Sequence, residues 1–322
     1  VNLELDDDQR ALVSTTTDIC ESLAADWRDL SSARHAGLGE LGSVGVLGVR
    51  HPEPDGSGFG PVESALVAQV CGAALAPTAL LVWADLVGTA VPGALSGAVS
   101  VTGALAPGCA VSFGGATDIT VLADTAGARA FATDALDWTP LPELDPAAPR
   151  AVVRVPSSEA GTLIADAERV RMWRWQFSIL TAAHLVGIGS GAVEASVAYA
   201  KDRNQFGKPI GSFQAIKHLL ADAYTGVEMA RSQVLVAALC WAESDAGAPV
   251  QGTAAALVAG RAAVAAGETA IQVHGGMGFT SEAIPHRFYK RALCLQDDLG
   301  GSLSLARQLA DQDLTLQSAA SR

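Results

Sequence analysis

Three stretches carry residue types that can do chemistry. "RNQFGKPIGSFQAIKH" (203–218) sets Arg203 close to Gln205, Phe206 and Gln214. An arginine beside polar donors and an aromatic ring is a sound way to hold a pyrophosphate and a neighbouring ring. The same residues equally describe a helix end with a favourable cation and a turn. "QVHGGMGFTSE" (272–282) brings Gln272 with the adjacent Gly275 and Gly276. Paired glycines let a ligand or another backbone come close, or they simply stop a helix before Glu282 opens the next turn. This is not a GxGxxG motif following a strand. "LQDDLGG" (295–301) offers Asp297 and Asp298. A carboxylate there is a candidate proton acceptor, and the plainer reading is a solvated helix face or boundary.

Composition limits the surroundings of these residues. The chain has 322 residues, 21 Lys+Arg and 34 Asp+Glu, for a formal net charge of −13. That balance disfavours nucleic acid and anionic membrane as partners. Cys20, Cys71, Cys109, Cys240 and Cys294 form no CxxC pair, and the six histidines form no HxxxH pattern. Both facts argue against a disulfide scaffold or a metal site and for a reducing, cytoplasmic setting. No basic-then-apolar N-terminus is present, so no signal peptide is expected. The apolar run 73–95 is interrupted by Asp85 and two prolines and lacks flanking Lys or Arg. It reads as a buried helix pair rather than a membrane span.

The elements that must position the chemistry follow from periodicity. Residues 3–34 read as one or two amphipathic helices, with Asp6–Asp8 at a helix start. Residues 40–60 read as a loop and 61–95 as helix. Short Val/Thr/Ile runs split by Gly, Pro and Asp mark 97–160 as a small β unit, with Trp138 a core or lid residue. Long helical patterns return at 166–202, 214–245, 251–273 and 286–313. They imply an antiparallel four-helix bundle. The expected fold is mainly α with a small β unit, divided at 1–96, 97–160 and 161–322.

Taken together, "RNQFGKPIGSFQ", "QVHGGMGFTSE" and the following "PHRFYKRA" resemble the acyl-CoA dehydrogenase family. That family carries R-x-x-F-G-x-x-(I/L)-x-x-x-Q before one bundle helix and Q-x-x-G-G-x-G-F-x-x-E before the last. "ELGSVGVLGV" resembles its early E-L-G turn, and the helix–β–helix layout matches over nearly the whole length. The resemblance implies desaturation of an acyl-CoA thioester. A carboxylate takes the α proton while the β hydrogen leaves as hydride to FAD. It also implies that Arg203, Gln205, Phe206, Gln214, Gln272 and Gly276 hold FAD phosphates or adenosine, with Gly275 supporting that backbone.

The chain departs from the family at the proton acceptor. One family position lies seven residues past the Ala of R-D-A, which falls here on Leu299. The other lies twenty-six residues before the Arg of R-x-x-F-G, which falls on Phe177, flanked by Gln176 and Ser178. Residues 97–160 lack the family's T-E-P-x-A-G-S-D-like segment and its Trp-Ile-Thr/Ser strand. "LGGSL" stands where E-G-T-x-Q contacts the flavin. What is kept is the set that grips the adenosine half of a neighbouring subunit's FAD.

The chain therefore resembles the short, non-catalytic member of actinobacterial heterotetrameric acyl-CoA dehydrogenases that act on steroid fragments. The implied partners are a catalytic subunit that supplies the glutamate, an electron-transfer flavoprotein and an acyl-CoA substrate. Two alternatives stand beside this expectation. One is a self-sufficient homo-oligomer with Asp298 or Asp297 as a relocated base. The other is a cofactor-free scaffold.

Overall fold

The computed structural model describes residues 4–28, 37–154 and 161–320. Helix α1 (Asp7–Arg28) begins where Asp6 and Gln9 cap each other. The Gln9 N–H donates to Asp6 Oδ1 at 2.8 Å, and the Asp6 N–H donates to Gln9 Oε1 at 3.2 Å. The expected second part of this helical region, past Arg28, lies outside the described residues. Within the expected loop at 40–60 the chain forms a short helix, α2 (Leu38–Ser43), and a 3-10 turn over Val46–Gly48. Buried Leu38, Leu41 and Val46 at helical spacing drive it, and the glycines around them obscure that pattern in the sequence. Helix α3 (Pro61–Ala73) starts on Pro61, with the Gly60 N–H donating to Glu63 Oε2 at 2.9 Å. Helix α4 (Thr78–Val87) is buried along its whole length. The apolar run 73–95 thus includes the turn between α3 and α4 and the whole of α4.

Among the described residues the β unit holds two sheets. In the first, β1 (Val101–Ala104) runs parallel to β3 (Ile119–Ala123), which pairs antiparallel with β4 (Gly127–Ala132), and β4 with β7 (Thr162–Asp166). In the second, β6 (Arg150–Arg154) lies between β2 (Ala110–Ser112) and β5 (Asp137–Pro140), all antiparallel. The inner faces meet on Ala104, Val111, Leu122, Phe131 and Val153. Trp138 is half-buried against this cluster, and its indole N–H donates to the Thr133 carbonyl at 3.0 Å. Strand β7 carries the sheet past the expected limit at residue 160. It feeds directly into the bundle, because Asp166 caps the next helix by accepting from the Arg169 N–H at 2.8 Å.

The bundle consists of α5 (Ala167–Asp202), α6 (Gln214–Ala242), α7 (Ala248–His274) and α8 (Pro285–Asp298), followed by α9 (Gly301–Ala320). A two-strand hairpin, β8 (Asn204–Gln205) and β9 (Lys208–Pro209), joins α5 to α6. By length and composition Ala167–Asp202 and Ala248–Phe279 are apolar enough to cross a membrane; here the first is mostly buried in the bundle and the second packs one face into its core. The single helix expected over 286–313 is broken after Asp298. Gly300 (φ 89°) and Gly301 (φ 79°) take left-handed conformations that end α8. The apolar period runs on across this break, which is why the sequence hides it.

The bundle core is built largely of alanine, with glycine at the closest crossings. A Cβ on Gly187 of α5 would sit 1.9 Å from the Gln69 carbonyl oxygen of α3. For Gly187→Ala, the gain in helix propensity is about 1 kcal/mol. The overpacking cost is about 1–3 kcal/mol, and the obstacle is backbone rather than a movable side chain. The clash should win. We expect a net loss of up to about 2 kcal/mol, measured as a lower urea midpoint at unchanged slope.

Candidate functional site

The break after α8 sets the first part of the site. Leu299 caps the helix, the Gly300 N–H donates to the Asp297 carbonyl at 2.8 Å, and the chain turns into α9. The turn faces a cavity of about 360 Å³ between the bundle and the β unit. Trp83 of α4, Phe177 and Arg174 of α5, Ser112 of β2 and the Asp298–Gly300 turn are among its walls. Phe177 and Leu299, which the resemblance sets at the expected proton-acceptor positions, line the same space although 122 residues separate them in the chain. Neither carries a group that can take a proton. Phe177 also packs on Trp83, ring centroids 6.0 Å apart.

Asp298 lines this cavity too, and here the plain sequence reading needs correction. It is not on a solvated face: its side chain is only 9% exposed. Asp297, 68% exposed, does fit that reading. Ser112 Oγ–H donates to Asp298 Oδ2 at 2.8 Å. Arg150 Nη2 lies 2.8 Å from Asp298 Oδ1 and donates to Asp297 Oδ2 at 2.8 Å. Ser112 and Arg150 stand opposite each other across β2 and β6, so one sheet face presents both to the α8 end. Burial pushes the Asp298 carboxyl up to about 6, against the pull of Arg150 and Ser112 toward the carboxylate. No spacing rule links residues 112 and 150 to 298, so sequence reasoning missed both partners.

The second part of the site lies at the other end of α5. Arg203 caps that helix, its N–H donating to the Tyr199 carbonyl at 2.9 Å. Gln205 stands in β8, and Phe206 (φ 52°) and Gly207 (φ 79°) form the two-residue tip of the hairpin. Two positive φ values in succession give the turn that suits a tight hairpin, and they push Phe206 out to 91% exposure. Phe213 meets Phe206 edge-on at 6.1 Å and carries Lys208 Nζ over its face at 4.4 Å. Gln214 opens α6, whose first N–H groups favour an anion. Gln272, Gly275 and Gly276 are exposed at the end of α7, and added Cβ atoms at the two glycines would meet nothing within 4 Å. Stacking of His274 on Tyr199, centroids 4.1 Å apart, draws the two segments to one end of the bundle. Phe279, 80% exposed, stands at the same end of α7.

The expected cofactor residues are therefore grouped, exposed and chemically suited to a phosphate and a stacked ring. They are not grouped with the cavity. Phe177 and Arg203 are twenty-six residues apart on α5, which at 1.5 Å per residue is about 39 Å.

Comparison with known proteins decides the family. Residues 176–311 match the acyl-CoA dehydrogenase C-terminal domain. "Acyl-CoA dehydrogenase IpdE2" of Mycobacterium tuberculosis is 34% identical over 261 residues, 77% of each chain. The chain belongs to the acyl-CoA dehydrogenase family. Two solved structures share its fold. The ChsE4–ChsE5 complex of Mycobacterium tuberculosis is 20% identical with a TM-score of 0.81, covering 97% of this chain and 98% of that one. The steroid ACAD Tcur3481–Tcur3483, a G363A variant, is 22% identical with a TM-score of 0.82, covering 97% and 99%.

Asp298 gives a pH test of the cavity. Its carboxyl holds a proton more tightly folded than unfolded. Its contribution to stability is therefore complete below about pH 4 and is lost as pH rises through about 6. An Asp298→Asn variant lacks this loss. Its stability relative to the native chain should rise between about pH 4 and pH 7, by up to about 3 kcal/mol. Urea melts across that range measure it, and a flat difference would contradict the buried, raised carboxyl.

Proposed function

We propose that this chain is the non-catalytic subunit of a heteromeric, FAD-dependent acyl-CoA dehydrogenase. One observation carries the reading: hydrocarbon side chains stand at both expected acceptor positions while the phosphate- and ring-binding set is kept. The cavity has hydrocarbon at both proton-acceptor positions. The phosphate- and ring-binding set stands exposed about 39 Å away along α5. One dinucleotide cannot lie on that set and also reach its own chain's cavity. A cofactor seated in a neighbouring subunit can.

Arg203, Gln205, Gln214, Gln272 and the backbone at Gly275–Gly276 would then hold the phosphates and adenosine of the partner's FAD, with Phe206 against a ring. When bound, FAD supplies the hydride acceptor for desaturation. The partner supplies the glutamate that removes the α proton. This chain's own contribution is binding and orientation, and the exposed Phe206, Met277 and Phe279 fit a face that another subunit covers. ChsE4–ChsE5 is a two-protein complex of the same fold, which supports the heteromeric arrangement, and the steroid ACAD supports a steroid-derived acyl-CoA substrate. An electron-transfer flavoprotein is the proposed electron acceptor, and the cytoplasm the proposed setting.

Flavin counted per chain tests the proposal. Purified alone, the chain should hold little FAD; co-expressed with its catalytic partner, the complex should hold FAD and desaturate. Arg203→Ala should lower the flavin content of the assembled complex at least tenfold. Full flavin occupancy and turnover by the lone chain would overturn the reading, and unchanged flavin in the Arg203→Ala complex would favour a cofactor-free scaffold.

A second reading rests on Asp298. A carboxyl near 6 that lines the cavity is suited to general-base work near neutral pH. If it acts as a relocated base, Asp298→Asn abolishes turnover while FAD stays bound. On the leading reading the same variant of the complex keeps its turnover.

A further inference from the structure

A separate cavity of about 490 Å³ opens between α1, α3, α5 and α6, away from both parts of the family site. Its polar lining includes Gln69 of α3, Ser190 of α5 and Arg231 of α6. Arg231 is held from three sides. It donates to Gln69 Oε1, to Ser190 Oγ at 2.9 Å and to Glu228 Oε1 at 3.2 Å. The bond to Oε1 fixes the Gln69 amide, because the opposite orientation would set two donors against each other. Its Nε2 is consequently turned elsewhere. Gln69 is only 5% exposed, and Nε2 is buried without a hydrogen-bond partner. A buried amide donor left unpaired is destabilising, and an acceptor entering this cavity would relieve that.

The rest of the lining is ordered by chemistry. Val13, Leu66 and Val70 give apolar wall, while Glu21 and Glu194 are exposed carboxylates. Among the lining residues, donors thus sit on buried or half-buried positions and acidic acceptors on exposed ones. A simple anion would meet Arg231 and Gln69 favourably but would also meet two carboxylates. A ligand with an acceptor at one end and a cation at the other satisfies both.

We infer that this cavity is a ligand site for a short aliphatic molecule with a carboxylate or amide carbonyl at one end and a cation at the other. The carboxylate or carbonyl is received by Gln69 and Arg231, the aliphatic part lies against Leu66 and Val70, and the cation faces Glu194 or Glu21. The site is independent of the chain's role as a subunit.

Calorimetric titration of the full chain with 6-aminohexanoate, hexanoate and hexylamine tests it. The first should bind at least tenfold more tightly than the other two. Gln69→Glu keeps an acceptor for Arg231 but replaces the amide donor with a second carboxylate. It should weaken 6-aminohexanoate at least tenfold. Glu194→Gln, a surface change with little risk to folding, should weaken 6-aminohexanoate and leave hexanoate unchanged or tighter. No binding of 6-aminohexanoate at millimolar concentration, equal binding of all three probes, or full affinity retained in both variants would overturn the inference.

Discussion

Arg291 is the point on which the arrangement depends. Its side chain is 4% exposed and pairs through Nε with Asp145, itself 5% exposed. Its Nη1 donates to the carbonyls of Ala76 at 2.7 Å and Leu75 at 3.2 Å. One guanidinium on α8 thereby reaches the β unit's 141–149 connection and the turn between α3 and α4. That turn includes Leu75 in a left-handed conformation (φ 61°), costly for a residue with a Cβ. A buried charge is tolerated only when paired and hydrogen-bonded, and Arg291 has three acceptors to meet that demand. Nearby, burial pushes His184 down to about 3 and the Arg291 charge adds to it, so the imidazole stays neutral.

A second clamp fixes the far end of α8. Arg150 lies 2.8 Å from carboxylate oxygens of both Asp297 and Asp298, and Ser112 holds the latter. The two arginines tie the β unit to the middle and to the C-terminal end of α8. The cavity containing Phe177 and Leu299 is what remains between the tied parts. On the proposed reading, leucine at the expected acceptor position leaves those walls in place. Phe177 and Leu299 give that cavity hydrocarbon walls, and Asp298 gives it a carboxyl.

Close helix crossings make the bundle possible with so few large side chains. Gly187 against Gln69, and Gly72 against the His184 carbonyl, let α3 and α5 approach at backbone distance. Alanines then fill the remaining volume. The composition that at first reads as unspecific is the packing solution.

The sequence by itself determined the helix–β–helix order, the family motifs and the spacings that set Leu299 and Phe177 where the resemblance expects proton acceptors. These are local or periodic properties, written in spacings along one strand of chain. Arg203, Gln205, Phe206, Gln214, Gln272, Gly275 and Gly276 could be read as candidates for the same reason. Their exposure and their common end of the bundle were not. The tertiary structure alone decided that α8 stops at Leu299, because two glycines in left-handed conformations override an apolar period that continues. It alone decided that Asp298 is buried, since its partners Ser112 and Arg150 arrive from strands far away in sequence. Distance and burial arise only when distant segments pack, and a one-dimensional pattern does not contain them.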